Sequence, residues 1–212
     1  SLNNEIVNNG TVGLVLNLDK SKFKMYKENI YIPTKKALQA TKVDVASRTV
    51  LEFNGKKASI AYAEALGIKE SVLKNVFFTN PLGLKMGKDL IIRSPHTLNS
   101  NGSITFYSQI QEGQMLLVLE LGDVEQIFEN TINTIKNDFE TIDGIFIVNC
   151  ILRKLLFANN NLHSKFCQNY SKLTKNITGF CSYGEQVGNK EFGWLHINQT
   201  ATIVVFSKRK RR

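Results

Sequence analysis

Short strand-like segments separated by turn signals fill the middle of the chain and restrict its fold more than any other feature. Four segments are rich in aliphatic, aromatic and β-branched side chains: residues 76–78, 89–94, 103–108 and 114–121. Turn-forming residues separate them: Asn80-Pro81, Gly87, Asn101-Gly102 and Glu112-Gly113. Connections this short join antiparallel strands, since parallel neighbours need long crossovers. This region therefore predicts an antiparallel meander.

Helices are predicted on both sides of the meander. Residues 50–67 read as strand, turn and amphipathic helix, with the Asn54-Gly55 pair typical of a type I′ turn and Gly67 placed to end the helix. Asp123 precedes a second amphipathic segment and has Gln126 three residues later, as in a capping box. Residues 162–173 predict a third helix.

Further strands are predicted outside the meander: residues 11–18, 37–46, 144–150, 177–183 and 201–206. Residues 21–32 are polar and basic and predict an irregular connection that Pro33 closes. Strands outnumber helices, and a meander block is followed by alternating elements. The expected fold is α+β (mixed α/β), a largely antiparallel sheet with helices packed on it.

Composition excludes several classes of protein. No apolar stretch of about 18 residues is present, so the sequence has no membrane-spanning segment. Three widely spaced cysteines fit neither a disulfide framework nor a zinc ribbon and favour a reducing, cytoplasmic setting. Five charges of the formal net charge of +9 come from residues 208–212, a solvated tail. We therefore expect no nucleic-acid partner. The start lacks signal-peptide features and an initiator Met, which suggests a fragment of a longer chain.

Standard catalytic, nucleotide-binding and metal-binding fingerprints are missing from the sequence. The three histidines lack metal-ligand spacing, so no metal and no cofactor are predicted. Cys150 ends a predicted buried strand and Arg153 follows it. A ligand can bind at such a strand end, although a buried cysteine acting as a small hydrophobe is the more ordinary interpretation. Arg93 lies within an apolar strand, where an inward guanidinium needs a carboxylate or a ligand.

Two polar blocks near the end of the chain are the strongest candidate site. Tyr183 and Glu185 flank Gly184 after a predicted strand, and His196, Asn198 and Thr200 follow at a spacing of two. If residues 195–206 form one strand, the last three side chains share a face. Such a row either lines a pocket or faces solvent, and an exposed turn is the alternative for Tyr183 and Glu185.

An ordered set of motifs resembles the C-terminal half of FIST domains (F-box and intracellular signal transduction proteins) over about residues 50–206. The matching blocks are Asn80-Pro-Leu-Gly83, Ile92-Arg93, Asn101-Gly-Ser103, Glu112-Gly113, Asn149-Cys150-Ile-Leu-Arg153, Gly179-Phe-Cys-Ser-Tyr-Gly-Glu185 and Asn198-Gln-Thr200. The sequence departs from the family pattern after Cys150, where Ile151 and Leu152 replace smaller residues.

The resemblance implies a cytoplasmic sensory module of bacterial signal-transduction proteins, such as methyl-accepting chemotaxis proteins, with a downstream signalling domain as partner. It also implies a small-molecule ligand, an amino acid for example, and no catalytic residues. Residues 1–40 resemble the tail of a preceding N-terminal half, residues 41–207 form the C-terminal-like domain, and residues 208–212 are a basic tail or linker. Most of the N-terminal half is absent from this sequence.

Three hypotheses follow for function. In the first, a sensor binds a ligand carboxylate through Arg93 or Arg153. Glu185 receives an ammonium group, while Tyr183, His196, Asn198 and Thr200 fix orientation. In the second, an enzyme uses Cys150 or Cys181 as nucleophile and His196 as base. In the third, the chain is a protein-interaction module with residues 208–212 leading into a signalling segment. The first hypothesis is preferred, so we predict no enzymatic activity.

Overall fold

A computed structural model describes residues 8–10, 13, 15–19, 22–158, 160–189 and 193–207. The strands are β1 (Phe23–Asn29), β2 (Tyr31–Asp44), β3 (Thr49–Phe53), β4 (Lys56–Lys57), β5 (Leu82–Met86), β6 (Asp89–Arg93), β7 (Pro95–Leu98), β8 (Ile104–Phe106), β9 (Met115–Leu121), β10 (Gly144–Cys150), β11 (Ile177–Ser182), β12 (Glu185–Asn189), β13 (Gly193–Ile197) and β14 (Thr200–Phe206). The α-helices are α1 (Ala58–Leu66), α2 (Val124–Asp138), α3 (Ile151–Ala158) and α4 (Leu162–Ser171), and Glu70–Val76 is a 3₁₀ helix.

Two main sheets and one hairpin contain these strands. The larger sheet has the order β6-β5-β9-β2-β3-β8-β7, with β4 paired to β3, and all its pairs are antiparallel. The smaller sheet has the order β1-β14-β10-β11, and β10 and β11 are parallel. β12 and β13 form a separate antiparallel hairpin. The expected α+β class with largely antiparallel strands is confirmed.

The described residues form two apolar cores, and the first of them also contains Tyr31, Ile92 and Leu119 of the larger sheet. α2, α3 and α4 cover one face of the smaller sheet, where Phe128, Phe157 and Phe166 pack together with ring centroids 5.5–6.0 Å apart. α1 packs Tyr62 against Phe53 of the larger sheet, with centroids 6.4 Å apart. The helices therefore leave the second face of the smaller sheet available to the hairpin and to the larger sheet.

Local signals account for several element ends. Asn54 and Gly55 both adopt positive φ, 52° and 72°, as the predicted type I′ turn between β3 and β4 requires. Gly67 ends α1 in the left-handed conformation. The Asp123 side chain accepts a hydrogen bond from the Gln126 N–H at 3.0 Å, which confirms the predicted cap of α2.

Other expectations are wrong. Residues 21–32 are not an irregular connection, because β1 occupies most of them and pairs with β14 over its whole length. Residues 76–78 are not a strand; they lie at the end of the 3₁₀ helix and in the turn after it. Within residues 11–18, the described residues are not in a strand, and the others lie outside the described part. Residues 208–212 also lie outside it.

The predicted division at residue 40 falls inside β2, which runs through both proposed regions and pairs with β9 and β3. The division itself stays a prediction. Among the described residues, none of the helices combines the length and the apolar character that a bilayer crossing requires.

Candidate functional site

A buried polar cluster lies where the two sheets and the hairpin meet. Cys150 enters it from the end of β10, Arg93 from the end of β6, and Glu185 and His196 from the hairpin. The two residues between β13 and β14, Asn198 and Gln199, complete it and are fully buried. The sequence blocks around residues 92, 150, 185 and 198 therefore converge, whereas Asn101-Gly102 and Glu112-Gly113 form turns of the larger sheet.

Glu185 supplies a buried carboxylate to the cluster, with 2% of its surface exposed. Ser182 Oγ donates to its Oε1 at 3.0 Å, Thr200 Oγ1 donates to its Oε2 at 2.9 Å, and the Cys150 thiol also donates to it. Burial raises the pKa of Glu185, and these donors offset part of the shift. The carboxylate thus holds three elements together, and internal hydroxyl groups already occupy both of its oxygens.

The two amides between β13 and β14 connect the hairpin to the larger sheet. Asn198 Oδ1 accepts from Ser108 Oγ at 2.8 Å, and Gln199 Oε1 accepts from Ser94 Oγ at 2.7 Å. The Gln199 amide group donates to Tyr31 Oη and to the Phe78 carbonyl oxygen. Gln199 has a positive φ of 53°, so the chain turns here instead of continuing as a strand.

Residues 195–206 therefore do not form one strand, which was the condition for a shared face, although the strand predicted over residues 201–206 is present as β14. β13 ends at Ile197 and β14 begins at Thr200, and each belongs to a different sheet. His196, Asn198 and Thr200 nevertheless come together, because the break turns the Asn198 and Thr200 side chains toward the hairpin. The alternative that this polar row faces solvent fails for Asn198 and Thr200, which are 0% and 1% exposed.

His196 is neutral in this arrangement. Its Nε2 lies 3.3 Å from Asn198 Nδ2, and the Asn198 oxygen is already an acceptor for Ser108, so the imidazole accepts the amide hydrogen bond. Burial lowers the pKa of His196, and the nearby Arg93 charge lowers it further. An imidazole that accepts this amide hydrogen bond at Nε2 carries its proton on Nδ1.

Arg93 is the half-buried cation beside this imidazole. Its Nη1 donates to the His196 carbonyl oxygen at 3.3 Å. Its Nε is buried, and no described residue accepts a hydrogen bond from it. No Asp or Glu of the described chain forms an ion pair with this guanidinium. Burial lowers the pKa of Arg93, as expected for a cation that lacks a counter-charge.

Arg153 is not brought to this cluster, although it was predicted as a carboxylate ligand. Its side chain points into the helix-covered core, where it forms an ion pair with Glu28, and both side chains are 0% exposed. The guanidinium carbon lies 4.8 Å from the ring centroid of Phe157 and 5.0 Å from that of Phe166. Tyr170 Oη donates to the second Glu28 oxygen at 2.9 Å. This buried pair explains Arg153 as a structural residue.

Tyr183 lies at the outer rim of the cluster, in the turn between β11 and β12, and is 87% exposed. The next residue, Gly184, passes so close to His196 that a Cβ would overlap the imidazole ring. The absence of a side chain at Gly184 therefore allows the backbone to approach His196 closely.

Cys150 is fully buried at the junction of β10 and α3. Burial, followed by the nearby Glu185 charge, raises the pKa of its thiol to about 11, while the backbone N–H groups of Gln199, Leu152 and Arg153 act in the opposite direction. Such a thiol carries little thiolate at neutral pH, which disfavours it as a nucleophile. Cys181 lies on the opposite, helix-covered face of the smaller sheet, away from His196.

Sequence reasoning missed several contributors to this site. Ser94, Ser108 and Tyr31 reach the cluster from the larger sheet and have no distinctive spacing in the sequence. Tyr107 forms an aromatic wall nearby, since its N–H donates to the Ser94 carbonyl and its ring packs against His96 with centroids 4.6 Å apart. Gln199, which was not singled out by itself, did carry a usable signal, because it lies between Asn198 and Thr200 in a run of three polar residues before an apolar strand.

Among the described residues, no group of three or more His, Cys, Asp or Glu side chains is arranged to hold a metal ion. No curated protein and no solved structure matches the chain. A family model described as "FIST C domain" matches residues 58–188, more than half of the sequence. That span contains the Arg93, Cys150 and Glu185 parts of the polar cluster. The chain therefore belongs to the FIST C domain family, a family of sensory domains.

Proposed function

We propose that this chain is the ligand-binding part of a cytoplasmic signal-transduction sensor and that Arg93 receives an anionic group of a small molecule. One observation carries the proposal: Arg93 is a half-buried guanidinium with an unpartnered Nε and no carboxylate partner among the described residues. An uncompensated cation of this kind is costly unless a ligand or solvent neutralises it. A carboxylate is the group whose planar geometry fits a guanidinium best.

Both predicted arginines have an unpartnered buried Nε, but they differ in whether a carboxylate neutralises the guanidinium. Arg153 has Glu28 as a permanent partner inside the core, so it has no free charge to offer a ligand. Among the described residues, the acceptors of Arg93 are carbonyl oxygens alone, those of Ile92 and His196. We therefore assign the ligand carboxylate to Arg93 alone. His196, Tyr183 and Asn198 fix its orientation.

An amino acid remains the first ligand class to test, with Glu185 as the partner of its ammonium group. A carboxylate can accept about four hydrogen bonds, so the Ser182 and Thr200 contacts leave capacity for an ammonium group. Glu185 is 2% exposed, however, and contact with it requires the hairpin β12–β13 to move. We therefore expect an amino acid to displace the hairpin on binding and to release Thr200 from Glu185. A ligand with a carboxylate and no ammonium group does not require this displacement.

The signalling context rests on the family. We propose a downstream signalling domain as partner, in a protein of the chemotaxis-receptor type, and no enzymatic activity. Residues 1–40 are then the tail of a preceding sensory half, residues 41–207 the FIST C-terminal-like domain, and residues 208–212 a linker. A pocket shared between the two halves would include the open side of Arg93.

The test is calorimetric titration of this chain, and of a longer protein carrying the N-terminal half, with matched ligands. Alanine, propionate and propylamine separate the contribution of the carboxylate from that of the ammonium group. We expect binding of alanine or of larger L-amino acids, weaker binding of the carboxylate alone and none of the amine. Failure of a full L-amino-acid and carboxylate panel to bind the longer protein would overturn the proposal.

A further inference from the structure

A groove between α4 and β11 lies on the helix-covered face of the smaller sheet, away from the Arg93 site. It has a volume of about 420 Å³, within the usual range of small-molecule sites, roughly 300–1,000 Å³. Phe166 and Ile177 give it an apolar lining, whereas the ring of Phe180 lies on the other face of the sheet and packs against Phe146 with centroids 5.9 Å apart. Two free, exposed thiols also line it, Cys167 from α4 and Cys181 from β11. We call it the α4–β11 groove.

The two thiols have different surroundings. Cys167 follows His163 by four residues on α4, so both side chains lie on one face of the helix, and the Cys167 sulfur is 3.9 Å from His163 Nε2. An imidazole at this position can take the thiol proton, and the thiolate is the nucleophilic form of cysteine. Cys181 enters the same groove from the opposite wall, and its described surroundings include no such imidazole contact.

We propose that the α4–β11 groove is a covalent binding site for small apolar electrophiles, with Cys167 as the reacting thiol and His163 as its base. For an α,β-unsaturated carbonyl compound, His163 takes the thiol proton and the Cys167 sulfur forms a bond to the β-carbon. The carbon–carbon π bond breaks, and its electron pair moves to the carbonyl oxygen as an enolate. The α-carbon then takes up the proton, and no leaving group or oxidant is required.

The apolar lining selects the electrophile. Burial of a phenyl or alkyl group against Phe166 and Ile177 stabilises the encounter by about 25 cal/mol per Å² of apolar surface removed from water. A charged reagent gains nothing from this surface. The groove would allow a sensory domain to respond to soft electrophiles as well. This response would not depend on the anionic ligand at Arg93.

The experiment uses the three cysteines of the intact chain as internal references. The protein is treated with N-phenylmaleimide or with a carboxylate-bearing maleimide, and peptide mass spectrometry gives a rate for each cysteine relative to N-acetylcysteine. We expect Cys167 to react at least about tenfold faster than Cys181, and buried Cys150 to react last. The advantage of Cys167 should be larger for the phenyl reagent.

Two variants separate the roles of base and groove. His163→Gln should reduce the Cys167 rate to that of Cys181 for both reagents. Ile177→Thr should reduce only the preference for the phenyl reagent, and the fold should survive because His163 is exposed and Ile177 is partly exposed. Equal rates at Cys167 and Cys181, or no effect of His163→Gln, would overturn the proposal. Because Arg93 takes no part, the result is independent of amino-acid binding.

Discussion

Arg93 and His196 join the larger sheet to the hairpin through one hydrogen bond, from Arg93 Nη1 to the His196 carbonyl oxygen at 3.3 Å. Burial lowers the pKa of the His196 imidazole, and the charge of the same guanidinium lowers it further. A ligand anion bound to Arg93 would therefore act on the hairpin in two ways. It would compete for the guanidinium, and it would reduce the positive potential at His196.

We expect Arg93→Gln to reduce affinity for an anionic ligand by at least about tenfold, because a charge-assisted bidentate contact is lost. Arg93→Lys should give an intermediate affinity, since lysine keeps the charge but not the planar fork. Calorimetric titration measures both. Lys88→Gln is the matched control, because it removes one positive charge from an exposed side chain. Equal affinities of Arg93→Gln and Lys88→Gln would contradict a direct role for Arg93.

Arg153→Met should lower the free energy of unfolding by about 3–5 kcal/mol, because it leaves the Glu28 carboxylate buried without its cation. Combining Glu28→Gln with Arg153→Met removes the unpaired carboxylate charge and should restore part of the lost free energy of unfolding. Urea denaturation of both single variants and the double variant measures the coupling. Additive effects of the two substitutions would show that the ion pair carries no interaction energy.

Acidification should weaken the hairpin through His196. Its folded-state pKa lies below the ordinary value, so the folded state binds this proton less readily than the unfolded state. Stability from the neutral ring is present above about pH 6.5 and is lost as pH falls through the folded-state pKa. His196→Gln should therefore lose less stability than the parent chain between about pH 7 and pH 5.

The NMR titration of the His196 ring is the direct measurement of this shift. We expect a midpoint below that of a histidine in an unstructured peptide, with the Asn198 amide signal changing at the same pH. A midpoint at or above the peptide value would show that Arg93 and burial do not act on the ring as described.

Gly184→Ala should displace the His196 ring, because the added Cβ overlaps it. The expected result is a broken Asn198–His196 hydrogen bond and weaker ligand binding, with a loss in unfolding free energy below about 3 kcal/mol, since the imidazole is a side-chain end that can rotate away. Gly144→Ala is the matched control, as its Cβ would make only an ordinary contact, 3.6 Å from the Asn176 carbonyl oxygen. Unchanged His196 chemical shifts in Gly184→Ala would contradict the predicted displacement.

Sequence reasoning succeeded where a side chain acts on its own neighbouring backbone. The Asn54-Gly55 turn, the Gly67 helix end and the Asp123 cap all depend on contacts within a few residues. The Asp89–Arg93 and Met115–Leu121 strands were likewise predicted from local composition and turn signals. These are the cases in which propensity and tertiary structure agree.

Sequence reasoning failed where the partner of a side chain is distant in the sequence. β1 looked like a polar connection because its charged residues find their partners far along the chain: Lys24 pairs with Asp138, 114 residues away, and Glu28 with Arg153, 125 residues away. The break at Gln199 was missed for a related reason. Its amide bonds to Ser94, 105 residues earlier, and no local pattern reveals that contact. The polar cluster could thus be anticipated in part, but the position of Arg153 in the helix-covered core, apart from Arg93, could not.

The central position of β14 in the smaller sheet affects the order in which the protein assembles during synthesis. β14 lies between β1 and β10, and Phe206 pairs with both Phe23 and Gly144. The larger sheet uses only strands from residues 31–106 and 115–121 and can form on the ribosome once these have emerged. β1 leaves the ribosome early but has no strand to pair with until the last strand follows it out. Translation thus delays the Arg93–His196 contact, and with it any ligand response, until nearly all of the chain described here has been made.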